Sequence, residues 1–247
     1  MKKFLLFGLL FLFSFIVVVI ARAPVGPVWN AVEDDVYQRV SGLQVLRVGG
    51  TVWAGNADLR YRAFPPSRLN WEISPAELIS GKIAFIAYAS GEAHRLDSHG
   101  SVSQSETRIE ELTGTIGSDF INLVSTNYGL NFSGEVVLSD IGLTTDQRWF
   151  TAAEGHADWS GGKIYYDSPH NGQTIFLPPL RADISMADKN LQLRLHNNQA
   201  ALIDIVLRPN GWAVVEVKAR LFDLARIPWP GGSSPEDTVL QFEEKLF

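Results

Sequence analysis

Residues Leu191 to His196 read LQLRLH, with leucine at every second position and a polar residue after each leucine. The same alternation runs through Asn56 to Arg62 and through Val215 to Leu221. Successive side chains of a β-strand point to opposite faces, so a period of two gives one apolar and one polar face. These segments therefore predict half-buried antiparallel strands.

Turn residues separate the alternating segments. Pro209-Asn210-Gly211 lies between Leu202–Arg208 and Trp212–Leu221, and Asn171-Gly172 separates two further short segments. Asn-Gly favours tight hairpins because both residues tolerate positive φ angles. About a dozen strands with such spacing predict an all-β domain. We expect an extended curved antiparallel sheet, a sandwich or a half-barrel.

Two helices are predicted within this β-rich region. Ser74-Pro75-Ala76-Glu77 has the pattern of a capping box, and Gly81 follows a short helical segment, Pro75–Ser80. Ser234-Pro235-Glu236-Asp237 resembles a second start, which predicts a C-terminal helix. That helix packs on its own sheet or docks a partner, and its apolar stripe consists of Val239, Phe242, Leu246 and Phe247.

The N-terminus carries a long apolar segment. Phe4 to Ala21 contains 18 uncharged residues, enough for a helix of about 27 Å, which is close to the thickness of a bilayer core. Lys2 and Lys3 precede it, so the positive-inside rule places the N-terminus in the cytoplasm and the remainder across the membrane. The sequence predicts a single-pass signal anchor in contact with the lipid bilayer.

A cleaved signal peptide is the alternative, because Ala21-Arg22-Ala23 has a small-x-small pattern. Pro24 after the cut and the length of the apolar run favour an uncleaved anchor. We expect residues 1–23 to form a cytoplasmic tip and the anchor, and 24–40 a linker with a short helix. Residues 41–247 would form the β-rich domain. Within 24–40, we expect Pro24–Pro27 to form the linker and Val28–Val40 the helix. The apolar face of this helix would consist of Val32, Val36, Tyr37 and Val40.

Composition excludes several classes of function. The chain contains no cysteine, which excludes disulfide scaffolds, thiol catalysis and cysteine-ligated metals. Its net charge of −6 argues against a nucleic-acid-binding surface.

The histidines do not predict a metal site. His94, Asp97 and His99 form the one metal-like cluster, but their Ser- and Gly-rich surroundings favour a solvated turn. His156 and Asp158 would share one face of a strand as an ordinary polar pair. His170 and His196 read as turn or strand-surface residues.

No catalytic, cofactor-binding or metal-binding residue is assigned. The sequence lacks a nucleophile elbow, a zinc-protease motif and a phosphate-binding loop, so an enzyme is not the expected function. Trp53, Trp71, Trp159 and Trp212 lie in strand patterns, where core packing is more ordinary than a carbohydrate platform. Lys82–Ala89 is apolar on both faces, which fits either a strand covered on both sides or the wall of a hydrophobic groove.

Several short motifs, in order, resemble the type II secretion system protein N family. Beyond the apolar N-terminus, the resemblance rests on the following segments: Val40-Ser41-Gly42, Gly50–Ala57, Leu69–Pro75 with Leu78 and Gly81, Trp159–Tyr166, Leu177–Leu180 and Asn210–Trp212. The tail after Phe222 resembles the family least.

The resemblance implies a non-enzymatic accessory of the machine that moves folded proteins from the periplasm across the outer membrane. It implies a bacterial inner-membrane location, a periplasmic C-terminal domain, and partners among the other inner-membrane components. The family also looks similar to AsmA-like, lipid-handling proteins, so a periplasmic domain that binds lipid in an apolar groove is the alternative. No cofactor, catalytic residue or ligand residue is implied.

Overall fold

The computed structural model describes residues 11, 14–15, 18–166, 172–229 and 231–246. Most of the predicted anchor, Phe4–Ala21, lies outside these residues, as do His170, Asn171 and Phe247. In the described part of the chain, no helix is both long enough and apolar enough to cross a bilayer.

The predicted all-β class is confirmed, because antiparallel strands account for most of the described chain. Sixteen strands are present in the described residues. They are β1 (Leu43–Gly50), β2 (Ala54–Tyr61), β3 (Ser67–Ser74), β4 (Ile83–Gly91), β5 (His94–Val102), β6 (Thr107–Gly117), β7 (Leu130–Phe132), β8 (Glu135–Thr145), β9 (Phe150–Trp159), β10 (Gly162–Tyr166), β11 (Gln173–Leu177), β12 (Leu180–Ala187), β13 (Asn190–Asn197), β14 (Ala200–Leu207), β15 (Trp212–Lys218) and β16 (Thr238–Lys245).

The strands form two sheets. The large sheet has thirteen strands in the order β1-β2-β3-β4-β5-β6-β8-β9-β12-β13-β14-β15-β16, and all of its described pairings are antiparallel. The small sheet has the order β11-β10-β7. Only β7, β10 and β11 leave the sequential order, and they form a second layer over part of the large sheet. We call the face that they cover the inner face, and the opposite face the outer face.

Helix α1 spans Val25–Arg39, so the expected linker at Pro24–Pro27 is wrong, and so is the predicted start at Val28. Proline is tolerated here because the first amide groups of a helix have no intrahelical acceptor. The predicted apolar face is also wrong in part. Val36 is half-buried together with Trp29, whereas Val32 leaves 40% of its surface exposed.

A 3-10 helix at Pro75–Ser80 confirms the predicted bounds, and Gly81 ends it with φ +74°. Ser74 makes no side-chain hydrogen bond at the N-terminus, so the capping box itself does not form. A second 3-10 helix, Thr126–Tyr128, follows helix α2 (Ser118–Ser125).

The predicted strand Val215–Leu221 ends early, because Lys218 is followed by helix α3 (Ala219–Ala225). Ala, Arg and Leu are strong helix formers. The amides of Ala219 and Arg220 donate to the carbonyl oxygens of Asp237 and Pro235, at 2.9 and 3.0 Å. The returning chain therefore supplies acceptors for the first turn of α3.

The predicted C-terminal helix is wrong, because residues 238–245 form β16. Ser234 and Asp237 close a turn instead of starting a helix, and the Asp237 carboxylate accepts from the Ser234 amide at 2.8 Å. The spacing of Val239 and Phe242 suits a helix. Pairing with β15 decides the outcome, because it satisfies backbone groups that would otherwise lie at an unpaired edge.

The hairpin at Pro209-Asn210-Gly211 is confirmed, with Gly211 at φ +83°. The strands predicted on either side of Asn171-Gly172 are confirmed as the antiparallel pair β10 and β11, while residues 167–171 of the turn lie outside the described residues.

Gly114 allows β6 to approach β5 closely, at a point where the pairing of β6 with β8 is irregular. It has φ +149°, and an added Cβ would lie 2.1 Å from the Arg95 carbonyl oxygen. We expect Gly114→Ala to lower the free energy of unfolding by about 1–3 kcal/mol, because both the backbone angle and the contact are unfavourable. Urea unfolding followed by circular dichroism measures this change.

Gly232→Ala is the matched control, since nothing lies within 4 Å of its added Cβ. Equal stability of the two variants would contradict the role of Gly114.

Candidate functional site: an apolar cavity under the small sheet

An apolar cavity lies between the small sheet and the inner face of the large sheet. Its volume is about 460 Å³, within the usual range for small-molecule sites. The inner face contributes residues of β8, β9, β12, β13 and β14, and the small sheet and α3 close the other side. Its walls include Val136, Ala157, Trp159, Leu180, Ala182, Leu193, Leu195 and Ile203 on the large sheet, and Leu130, Phe132, Ile164, Ile175, Leu177, Leu221, Phe222 and Ala225 opposite.

Strand register places these side chains together. Ala182 of β12 pairs with Ala157 of β9 and with Leu195 of β13, and Leu195 pairs with Ile203 of β14. Directly opposed residues of an antiparallel sheet point to the same face. The period-two pattern of the sequence therefore becomes one apolar wall.

The opposite wall is fixed by its own packing. Ile164, Leu177 and Ala225 form a buried cluster that joins β10, β11 and α3. The Trp159 indole donates to the Ser133 carbonyl oxygen at 2.9 Å, and its ring meets Phe132 edge-on at 6.2 Å. Trp159 therefore holds the small sheet against the large one.

The apolar wall continues beyond the cavity. A row of directly paired residues crosses every strand of the large sheet on the inner face. From β1 to β16 it reads Val48, Ala57, Leu69, Ala89, Leu96, Gly114, Leu138, Ala157, Ala182, Leu195, Ile203, Val217, Leu240. Every member is apolar or glycine, so the inner face carries one continuous apolar strip.

Charged groups collect on the outer face. Arg181 follows the cavity residue Leu180 and precedes Ala182 in β12. Its guanidinium makes two hydrogen bonds to Asp158, at 2.8 and 3.0 Å. These bonds lower the pKa of Asp158 below its ordinary value. Arg194 donates one hydrogen bond to Asp204 at 2.7 Å. A ligand in the cavity would therefore meet hydrocarbon rather than charge.

The predicted turn around His94, Asp97 and His99 is wrong, because these residues lie within β5. Long-range pairing with β4 and β6 overrides the turn-forming composition. His94 is buried on the inner face, while His99 lies 3.8 Å from both Glu110 and Glu111. Within the described residues, no group of three or more potential ligands is placed to hold a metal ion.

His94 is a buried base in an apolar setting. Its Nε2 lies 2.9 Å from the Ser67 hydroxyl, and its ring contacts Phe120 at 4.8 Å between centroids. Its Nδ1 has no hydrogen-bond partner in the described structure. Burial lowers the pKa of His94 below 6.5, because the charged form loses solvation.

Of the predictions for His156 and His196, the first is confirmed and the second is wrong. His156 and Asp158 share a face of β9, at 3.6 Å between Nε2 and Oδ2, as the sequence predicts. His196 is buried, so its prediction as a surface residue is wrong. It bonds Asp183 at 2.8 Å, because β12 and β13 bring them together on the sheet.

The four tryptophans occupy different settings. Trp71 and Trp159 are half-buried and hydrogen-bonded through their indoles. Trp53 is also half-buried but lies in the β1–β2 turn, so its predicted strand position is wrong. Trp212 remains 39% exposed, so core packing is wrong for this residue.

Lys82–Ala89 does not line the cavity. Its residues form most of β4, where Ile86 and Tyr88 remain 42% and 43% exposed on the outer face. A strand covered on both sides is therefore wrong. The cavity residues instead come from segments more than a hundred positions apart, and only the packing of the small sheet brings them together.

One family model matches most of the chain. A family model described as "Type II secretion system (T2SS), protein N" matches residues 41–223. The chain belongs to the type II secretion system protein N family. The match covers the large sheet from β1 to β15 and most of the residues that line the cavity.

Members of the protein N family are components of the type II secretion system, and the family is not a known enzyme family. No curated protein and no solved structure matches the chain.

The buried state of His94 makes stability depend on pH. The unfolded chain binds a proton on this residue more readily than the folded one, so stability rises with pH in this range. We expect the free energy of unfolding to fall as the pH drops below about 6.5 and through the lower folded-state pKa. Unfolding measured between pH 8 and pH 5 tests this.

His94→Gln should flatten that dependence, whereas His99→Gln, whose native side chain is 45% exposed, should preserve it. Identical pH profiles for the wild type and His94→Gln would refute the assignment.

Proposed function

We propose that the chain is an inner-membrane-anchored accessory component of the type II secretion system. It supports the export of folded proteins from the periplasm across the outer membrane by contacts with other inner-membrane components. The family match over residues 41–223 carries this proposal. The absence of charged side chains directed into the described cavity favours a binding or contact role over catalysis.

The arrangement of segments supports anchoring. The apolar run Phe4–Ala21 follows Lys2 and Lys3, and a bilayer-spanning helix would leave the N-terminus in the cytoplasm. In this proposal residues 1–23 form the cytoplasmic tip and anchor, 24–40 join it to the sheet, and 41–247 lie in the periplasm.

Deletion of the reading frame should block secretion at its last step. We expect the secreted proteins to accumulate, folded, in the periplasm, as assayed by fractionation and by enzyme activity of a secreted substrate. The same strain supplied with the full-length chain is the control. Normal secretion in the deletion strain would contradict a supporting role.

The cavity favours a second candidate function, which is the holding of a lipid in the periplasm. The observation that favours it is a cavity of about 460 Å³ that lies against the continuous apolar strip of the inner face. Hydrocarbon gains about 0.8 kcal/mol per CH₂ group on leaving water, so an acyl chain suits such a site.

Filling the cavity tests this function. Ala182 projects from its wall, and Ala182→Trp should displace a bound acyl chain because the indole occupies the space. Lipid extraction and mass spectrometry of the purified chain should detect lipid in the wild type and strongly reduced lipid in the variant.

Ala152→Trp, at an exposed position of β9 away from the cavity, is the control and should retain the lipid. Absence of lipid from the wild type would show a dry cavity and reject this second function.

A further inference from the structure

Six connections lie at one end of the large sheet, which we call the proximal end. Antiparallel pairing places them together, since Ser74 pairs with Ala84, Ile83 with Val102 and Thr107 with Thr145. The connections are residues 51–53, 75–82, 103–106, 146–149, 188–189 and 208–211.

The chain that leaves Phe4–Ala21 is fastened to this end. The Trp53 indole donates to the Ile20 carbonyl oxygen at 2.7 Å, and the Val52 amide donates to the Ala23 carbonyl oxygen at 3.0 Å. Pro24 forms a β-bridge with Thr51. The β1–β2 turn therefore holds the last turn of the N-terminal helical segment.

That helical segment does not pack along the sheet. Val18, Val19 and Ile20 are each more than 50% exposed, and Phe11 is 73% exposed. Such side chains need an apolar environment outside the described chain.

A second apolar feature lies at the same end. Leu78 and Ile83 are each 42% exposed, and Ile79 is 94% exposed, the largest value among the exposed large apolar residues described. We call Leu78, Ile79 and Ile83 together the 78–83 patch. Lys82, also exposed, places an ammonium group beside it.

The β1–β2 turn that holds the N-terminal helical segment also contacts the strand that leads to the patch. The Trp53 carbonyl oxygen accepts from the Ile73 amide at 2.6 Å, and the 3-10 helix begins two residues later at Pro75. Ile79 is six positions after Ile73 in the chain, so it lies within about 20 Å of Ile73 and close to Trp53.

We propose that the 78–83 patch inserts into the outer leaflet of the membrane that holds Phe4–Ala21. This inference rests on the proposed anchor, because only a bilayer at Ile20 brings lipid to the proximal end. Leu78 and Ile79 enter the boundary between headgroups and acyl chains, and Lys82 meets lipid phosphate, as in interfacial amphipathic segments. The sheet then stands with its proximal end on the membrane.

The absence of cysteine allows a direct test with single labels. Ile79→Cys, Phe11→Cys and Tyr128→Cys are each made in the full chain and labelled with an environment-sensitive fluorophore. They are reconstituted into vesicles of phosphatidylethanolamine and phosphatidylglycerol. Tyr128 is 66% exposed and follows the far end of β6, so it is the matched exposed control.

We expect the labels at positions 79 and 11 to shift to the blue and to be quenched by spin-labelled lipids, while the label at 128 does neither. If the label at 11 is quenched and the label at 79 behaves as the one at 128, the anchor stands and the patch proposal fails. A blue shift at 79 without lipid quenching indicates protein contact and also overturns it. No quenching at position 11 rejects the anchor itself, and the patch proposal with it.

Discussion

Unbroken backbone pairing across thirteen antiparallel strands is the constraint on which the structure depends. Each strand satisfies the amide and carbonyl groups of its neighbours, so residues that share a row must face the same way. A strand displaced by one residue along its neighbour would turn its apolar side chains to the outer face. The apolar strip from Val48 to Leu240 and the charge pairs of the outer face both follow from this register.

The second layer exists because three strands leave the sequential order. β7, β10 and β11 pair with one another, and α3 packs beside them. They cover only part of the inner face, so the strip is closed into a cavity near Trp159 and has no second strand layer over β2 to β5 in the described chain. The region that matches the protein N family therefore also contains most of the residues that line the apolar cavity.

The sequence predicts strand identity well where burial on one face controls it. In β13 the three leucines Leu191, Leu193 and Leu195 share the inner face, and Arg194 is exposed on the outer face. Where the predicted secondary structure is wrong, pairing with neighbouring strands determines the structure. Val239 and Phe242 suit a helix until the edge of β15 is considered, and the polar surroundings of His94 suggest a turn until β4 and β6 flank it. The cavity requires the packing of separated segments, which no local pattern encodes.

The nearly sequential order of the large sheet has a consequence for biogenesis. Apart from the excursions through β7 and through β10–β11, each new strand pairs with the one synthesised just before it. A chain that emerges N-terminus first can extend an existing edge strand by strand, so little loop entropy opposes each addition. The fold can thus grow by elongation from β1, with β16 as the last strand to join the row.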